Sequence, residues 1–144
     1  MSLSVSGEEH KAVVRRAIEG LFNTGRLAIA DAVFSADYVD HSPSNSNLSG
    51  LENVKRFVGE WRTAFPDTRN VIEDMVVEDD RVAVRWTTYA THEGEFLGVS
   101  PTGNKVTVRW LGIFRVSKGR IVESWDHYET QGLLRQLGAE RLWK

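Results

Sequence analysis

The first half of the chain carries apolar residues at the spacing of amphipathic helices. One apolar stripe recurs every three to four positions, at Val13, Val14, Ala17, Ile18, Leu21 and Phe22. Gly25 suits the left-handed conformation that commonly ends a helix, and a shorter helix is predicted over residues 27–34. A third helix is predicted to begin near Ser49 and to end at Phe65, because the residue before Pro66 avoids helical geometry. Its stripe is Val54, Phe57, Val58, Trp61 and Phe65.

The second half of the chain has the apolar and polar alternation of β-strands. The four predicted strands cover residues 70–77, 81–92, 105–117 and 120–129. Asp79-Asp80 suits a tight turn between the first two strands, and Lys118-Gly119 is typical of a two-residue hairpin loop between the last two. A final short helix is predicted over residues 131–137. Helices followed by hairpins predict an α+β fold, with the helices on one face of an antiparallel sheet.

The hairpin loop at Lys118-Gly119 also predicts which side chains share a face of the sheet. If Ser117 lies opposite Arg120, Trp110 pairs with His127. One face then carries Val106, Val108, Trp110, Phe114, Val116, Ile121, Trp125, His127 and Glu129. The other face carries Thr107, Arg109, Leu111, Ile113, Arg115, Val122, Ser124, Asp126 and Tyr128. Because the first face holds more large apolar groups, we expect it to face the helices.

An aromatic cavity is predicted on this apolar face. The alternation in the first hairpin places Met75, Val77, Val82, Val84, Trp86 and His92 on one side of it. Trp86 would then join Trp110 and Trp125, and Trp61 of the third helix would close over them. A cavity of this kind, with a few convergent polar groups, suits a small apolar or aromatic organic ligand.

Composition narrows the classes of function that remain. A length of 144 residues predicts one domain over residues 1–144. The chain has no cysteine, which removes disulfide and thiolate chemistry and is typical of the reducing cytoplasm. A formal charge of −2 argues against a nucleic-acid partner. Neither a membrane-spanning run nor a signal-peptide pattern is visible, so we expect a cytoplasmic protein with no membrane partner.

Several stretches together resemble the SnoaL-like polyketide cyclase family, within the larger group of folds related to nuclear transport factor 2. They are residues 38–41, 64–67, 80–86, 91–96, 101–103, 119–126 and 132–138. The resemblance implies a cone-shaped, curved antiparallel sheet with the N-terminal helices packed on its concave face. It also implies a deep pocket and a homodimer formed through the sheet.

The family's cyclases close a ring by intramolecular aldol condensation without a cofactor, using a pocket carboxylate near the end of the last strand. By alignment this position is Glu129, where the family usually has Asp, and Asp126 is the rival. Our strand alternation places Glu129 on the apolar face, where partial desolvation would suit it to acid–base chemistry. A solvated rim carboxylate is the alternative. Asp126 falls on the opposite face, where a surface or dimer-interface role is favoured.

The histidines have functional and structural interpretations. His127 could relay a proton beside Glu129, or it could be a hydrogen-bonded core histidine. His41 and His92 could line the pocket or tie down the loops that follow them. The three histidines and Glu129 are residue types that can bind zinc. Their spacing matches no metal motif, so we expect neither a metal nor a cofactor.

These patterns favour a small-molecule pocket protein of the SnoaL-like group that acts as a cofactor-independent cyclase, isomerase or hydratase. The alternative is a non-catalytic ligand-binding or dimeric accessory module of the same fold. The predicted catalytic residues are Glu129, His127 and Asp126, and the predicted substrate contacts are His41, Trp61, His92, Trp110 and Trp125. A homodimer would use the outer face at Thr107, Arg109, Leu111, Ile113 and Tyr128.

Overall fold

A computed structural model describes residues 3–42 and 49–138. The helical elements are α1 (Leu3–Arg15), a π-helical segment (Arg16–Phe22), α2 (Leu27–Val33), α3 (Leu51–Ala64) and α4 (Thr130–Gln136). The strands are β1 (Phe34–Asp40), β2 (Arg69–Glu78), β3 (Arg81–Thr91), β4 (Lys105–Ser117) and β5 (Arg120–Tyr128). Trp143, the fifth tryptophan of the chain, lies outside the described residues.

The strands form one curved, open sheet in the order β1-β5-β4-β3-β2. The α+β class and the two predicted hairpins are confirmed, and their turns fall at Asp79-Asp80 and Lys118-Gly119. Asp79 and Lys118 have φ values of 54° and 53°, which places both in the left-handed region that such turns use. No helix in the described ranges is long and apolar enough to cross a membrane.

The edge strand β1 was not predicted, and it makes the sheet mixed rather than purely antiparallel. Phe34, predicted as the end of a helix, is instead the first residue of this strand. β1 runs parallel to β5, with Val39 opposite Glu123 and a shift of register between Phe34 and Val39. Its buried positions do not alternate regularly, because the shift displaces them. A parallel partner more than eighty residues away leaves little local trace in a sequence.

The helices cover the inner face of the sheet and bury a single apolar core. α1 and the π-helical segment contribute Val14, Ile18 and Leu21, which are fully buried. The sheet contributes Val82, Val84, Trp86, Val108, Trp110, Phe114, Val116 and Ile121. This is the face that the alternation of β3 and β4 predicted. The outer face keeps Leu111 and Ile113 exposed.

A β-bulge in β5 decides which side chains face the helices. Ser117 lies opposite Arg120, as predicted, and Val116 lies opposite Ile121. The next pair is Arg115 with Glu123, so Val122 is an extra residue without a partner. Because side chains alternate, one inserted residue turns the rest of β5 over. The predicted pairing is therefore wrong from Glu123 onward.

Candidate functional site

A cavity lies between α3 and the inner face of the sheet. It holds about 690 Å³ of empty space, including the part open to solvent. Most of its wall is aromatic or aliphatic, with Phe22, Phe34, Val54, Phe57, Val58, Trp61, Trp86, Trp110 and Phe114. The remaining lining residues are polar: Tyr38, Asp40, Arg62, Asn70, Thr88 and Asp126. A mostly apolar and aromatic lining with a few polar groups is typical of a site for a small organic molecule.

Three tryptophans form the aromatic wall. Trp86 and Trp110 are stacked with ring centroids 5.4 Å apart and an interplanar angle of 5°. Trp61 approaches Trp110 edge-on at 5.9 Å from α3. The indole N–H of Trp61 donates to Thr68 Oγ1 at 2.9 Å, and that of Trp110 donates to Thr88 Oγ1 at 2.8 Å. The rings therefore give the cavity an apolar aromatic wall, while these two N–H groups are used within the protein.

Asp126 brings a carboxyl group into this wall. The bulge at Val122 places it opposite Gly112 on the inner face, so its predicted position on the outer face is wrong. Its Oδ1 accepts a hydrogen bond from the Ser42 hydroxyl, and its backbone N–H donates to Ser42 Oγ at 2.8 Å. Burial raises the pKa of Asp126 from 3.8 to about 6, helped by the nearby charge of Asp40 and opposed by the Ser42 hydrogen bond. Asp126 is thus a carboxyl that can exchange protons near neutral pH.

A second carboxyl and a phenol adjoin Asp126. Asp40 is buried at the end of β1 and accepts a hydrogen bond from the Ser42 backbone N–H at 2.8 Å. Burial raises the pKa of Asp40. The Tyr38 hydroxyl lies 2.6 Å from Ser124 Oγ, and burial together with the charge of Asp40 raises the pKa of Tyr38 well above its ordinary value. Tyr38 therefore keeps its proton at neutral pH.

Sequence reasoning missed Tyr38 and Asp40 as site residues. Both lie in residues 38–41, a stretch that carried part of the family resemblance, and they are two positions apart in one strand. The alternation of Tyr38 and Asp40 with exposed Val39 is the only trace of this in the sequence. Alternation alone does not say which of the two sets faces the cavity, because that depends on the pairing of β1 with β5.

Gly112 leaves the space that Asp126 occupies. A Cβ added at Gly112 would lie 2.7 Å from Asp126 Cβ and 3.3 Å from the Trp125 carbonyl oxygen. The strand β4 passes too close to β5 here for any side chain. Glycine at this position therefore lets Asp126 sit in the cavity wall.

The bulge moves three predicted site residues to the outer face of the sheet. Trp125 pairs with Ile113 and His127 with Leu111, both on the outer face. Glu129 extends from the same side and accepts a hydrogen bond from Arg109 Nε at 3.0 Å. Its side chain is 45% exposed. The predicted placement of Trp125, His127 and Glu129 beside Trp110 is therefore wrong, and so is the outer-face position predicted for Tyr128, which pairs with Trp110.

His41 also points to the outer face. Its ring stacks on Trp125 with centroids 4.9 Å apart, and its Nε2 lies 2.7 Å from Glu123 Oε2. The backbone N–H of His41 donates to the Ser124 carbonyl at 2.8 Å. His41 thus fastens the end of β1 to β5 while its neighbours Asp40 and Ser42 turn inward.

His92 is fully buried but does not line the cavity. The Thr102 backbone N–H donates to His92 Nδ1 at 3.2 Å, and the ring packs 5.5 Å from Phe65. Its Nε2 has no hydrogen-bond partner in the part of the chain that the structure describes. His92 is part of the core, and it does not meet His41, His127 or Glu129. Within residues 3–42 and 49–138, no group of three His, Asp or Glu side chains is arranged to hold a metal ion.

A helix-covered curved sheet with an aromatic, acid-containing cavity defines a small-molecule pocket protein of the cone-shaped class. The comparison with protein families identifies it further. The model described as SnoaL-like polyketide cyclase matches residues 12–137, and the chain belongs to that family. The resemblance inferred from the sequence is confirmed.

Two relatives of known name are cyclases. The chain is 28% identical over 120 residues to nogalonic acid methyl ester cyclase of Streptomyces nogalater, covering 81% of this chain and 89% of that protein. It is 30% identical over 135 residues to aklanonic acid methyl ester cyclase AcmA of Streptomyces galilaeus, covering 90% and 91%.

Solved structures support the same fold. AclR of Streptomyces galilaeus is similar with a TM-score of 0.80 and 33% identity, covering 92% of this chain and 82% of that one. IdmH of Streptomyces antibioticus is similar with a TM-score of 0.77 and 29% identity, covering 90% and 98%. AclR has been proposed to be a hydroxylase, and IdmH a polyketide cyclase.

Proposed function

We propose that this protein closes a ring in a polyketide by intramolecular aldol addition, without loss of water, and that Asp126 is the acid–base group. The observation that carries the proposal is the position of Asp126 in the wall of an aromatic cavity, with a pKa raised to about 6. A general acid or base works best when its pKa lies near the working pH. The names of two relatives, nogalonic acid methyl ester cyclase and aklanonic acid methyl ester cyclase, add support for a cyclisation.

The reaction needs only one proton acceptor that later becomes a donor. The Asp126 carboxylate takes a proton from the carbon next to a carbonyl group, which leaves an enolate. The enolate carbon attacks a second carbonyl of the same molecule and forms the new carbon–carbon bond. The resulting alkoxide takes the proton back from Asp126, so substrate and product have the same mass.

Neighbouring groups stabilise the charges in this scheme. Ser42 donates to Asp126 and holds the carboxyl in one orientation. Tyr38 lines the cavity and stays protonated. Its hydroxyl oxygen can accept from the Ser124 hydroxyl, which leaves its own proton for a ligand, so we assign it the hydrogen bond to the enolate oxygen. His127 is not available for this role because it lies on the outer face, and the N–H groups of Trp61 and Trp110 are engaged by threonines. Trp86 and Trp110 would hold the rings of the substrate.

Two matched variants test the assignment of the carboxylate. Asp126→Asn keeps the shape of the side chain and removes the base, whereas Glu129→Gln makes the same change on the outer face. Purified variants are incubated with aklanonic acid methyl ester or nogalonic acid methyl ester, the compounds in the relatives' names, and the product is followed by chromatography and mass. We expect at least a 10²-fold loss for Asp126→Asn, in line with acid–base contributions of about 10²–10⁴. Full loss in Glu129→Gln with an active Asp126→Asn would return the role to Glu129.

The likeness to AclR favours hydroxylation as a second candidate. The mass of the product separates the two reactions, because cyclisation conserves mass and hydroxylation adds one oxygen atom. Cyclisation also proceeds without dioxygen. Tight binding with no product of either mass would identify a ligand-binding module instead.

The outer face of the sheet supports a homodimer. Leu111 and Ile113 are 61% and 41% exposed, and Val76 is 65% exposed on the same face. Such neighbouring apolar groups suit a two-fold symmetric contact. We place this dimer in the cytoplasm, consistent with a chain that has no cysteine. Light scattering at micromolar concentration measures the mass directly, and a monomer would contradict the dimer.

A further inference from the structure

The cavity has opposite charges at its two ends. α3 begins beside β1, where the Gly50 backbone N–H donates to the Tyr38 carbonyl oxygen and Ser49 Oγ accepts from the Asp40 backbone N–H. The acids Asp40 and Asp126 therefore lie near the N-terminal end of α3. Arg62 lies near its C-terminal end and also lines the cavity. Eight residues separate Val54 from Arg62, which is about 12 Å along the helix axis.

Arg62 is held in place by backbone carbonyl groups. Its Nη1 donates to the carbonyls of Phe22 and Asn23 at 3.2 and 3.0 Å, and its Nη2 donates to that of Pro66 at 3.2 Å. Its side chain also crosses Gly25, where an added Cβ would lie 2.6 Å from Arg62 Cδ. Gly25 has a φ of 72°, a conformation that favours glycine. Because glycine has no side chain, the Arg62 side chain can pack directly against this backbone.

The charge of Arg62 is only partly balanced by these contacts. Within residues 3–42 and 49–138, no carboxylate pairs with Arg62. The carbonyls at the end of a helix amount to roughly half a negative charge, whereas the guanidinium carries a full positive one. A guanidinium has five N–H groups, and three are used in the bonds above. Its remaining donors can serve a ligand.

The other polar groups at this end are occupied by one another. Asn70 Oδ1 accepts from the Thr88 hydroxyl, and Asn70 Nδ2 donates to Asn23 Oδ1 at 2.8 Å. Thr88 in turn accepts from the Trp110 N–H. A ligand that reaches this end therefore meets one available charged donor, Arg62.

We propose that Arg62 binds an anionic oxygen of the substrate, a carboxylate or an ionised phenol, and so orients the ring system with its reacting end at Asp126. This inference rests on the proposed function for the identity of the site. It names a specificity determinant, since a neutral ester at the same position would leave the guanidinium without its charged partner.

Binding of three probes tests the proposal without turnover. The probes are anthraquinone-2-carboxylate, its methyl ester, and 2-hydroxyanthraquinone above and below the pH at which its phenol ionises. Quenching of the cavity tryptophans reports affinity. Charge-assisted hydrogen bonds contribute enough to predict about a tenfold preference for the carboxylate over the ester in the unmodified protein. A preference for only one anion identifies which oxygen the site accepts.

Variants of Arg62 complete the test. Arg62→Met should remove the preference for the carboxylate, and Arg62→Lys should keep part of it. Arg56→Met is the matched control, because Arg56 is an exposed arginine of the same helix. The ratio of the two affinities within one variant is insensitive to partial unfolding, since both ligands meet the same folded fraction.

Three results would overturn the proposal: an unchanged carboxylate-to-ester ratio in Arg62→Met, no preference in the unmodified protein, or no binding of any probe to it. The Asp126→Asn protein should keep the ratio while losing turnover. Failure of the acid–base assignment would therefore be distinguishable from failure of the Arg62 assignment.

Discussion

Replacing Asp126 with asparagine should remove activity and at the same time make the folded protein more stable. The gain in stability should be largest at alkaline pH, where the unmodified protein is most active. The native fold raises the pKa of Asp126 from 3.8 to about 6 because burial disfavours the charged form. At about 1.4 kcal/mol per pKa unit, ionising this group in the folded state costs about 3 kcal/mol more than in the unfolded chain. Asparagine has nearly the same shape, can still accept from Ser42, and carries no charge.

The sign of the effect follows from proton binding. Between pH 3.8 and about 6 the folded protein binds more protons at Asp126 than the unfolded chain does, so this group's contribution to stability falls as pH rises. We therefore expect Asp126→Asn to raise the free energy of unfolding by about 2–3 kcal/mol at pH 8 and by only about 1 kcal/mol at pH 4.5. The gain is largest where the carboxylate would be ionised.

Urea unfolding followed by tryptophan fluorescence measures this difference at each pH. Comparing the variant with the unmodified protein cancels the titration of every other group. Glu129→Gln is the control, because Glu129 is on the outer face and half-exposed, and it should show no comparable pH-dependent gain. A stability difference for Asp126→Asn that stays constant from pH 4.5 to pH 8, or that becomes a loss at pH 8, would refute the raised pKa.

Three further predictions follow from the geometry. Turnover should rise with pH through about 6 as Asp126 ionises, and a flat pH–rate profile would argue against it as the base. Gly112→Ala should lower stability by about 1–3 kcal/mol through overpacking and should reduce turnover by displacing Asp126. Gly59→Ala in α3, where an added Cβ meets nothing within 4 Å, should leave both intact. Leu111→Lys should convert a dimer to a monomer in light scattering, and an unchanged mass would place the contact elsewhere.

Local patterns account for most of the elements. The strand alternation and the turns at Asp79-Asp80 and Lys118-Gly119 predicted both hairpins, because these signals involve residues close together in the chain. The apolar stripe of α3 correctly predicted that Trp61 faces the cavity, because helical periodicity also involves residues close together in the chain. The faces of β3 and β4 followed from the alternation of their side chains, which placed Trp86 and Trp110 together on the inner face.

The site itself depended on contacts that no local pattern encodes. One unpaired residue, Val122, turns the end of β5 over, so Asp126 enters the cavity and Glu129 leaves it. Nothing in the sequence around Val122 marks it as a bulge, because the register shift is resolved by packing across the whole sheet. The same is true of β1, whose pairing with β5 brings Asp40 and Tyr38 beside Asp126. Sequence alone determined the family, the class of fold and the aromatic character of the cavity. Tertiary structure decided which carboxyl lies in it, since a shift of one residue exchanges the two faces of a strand.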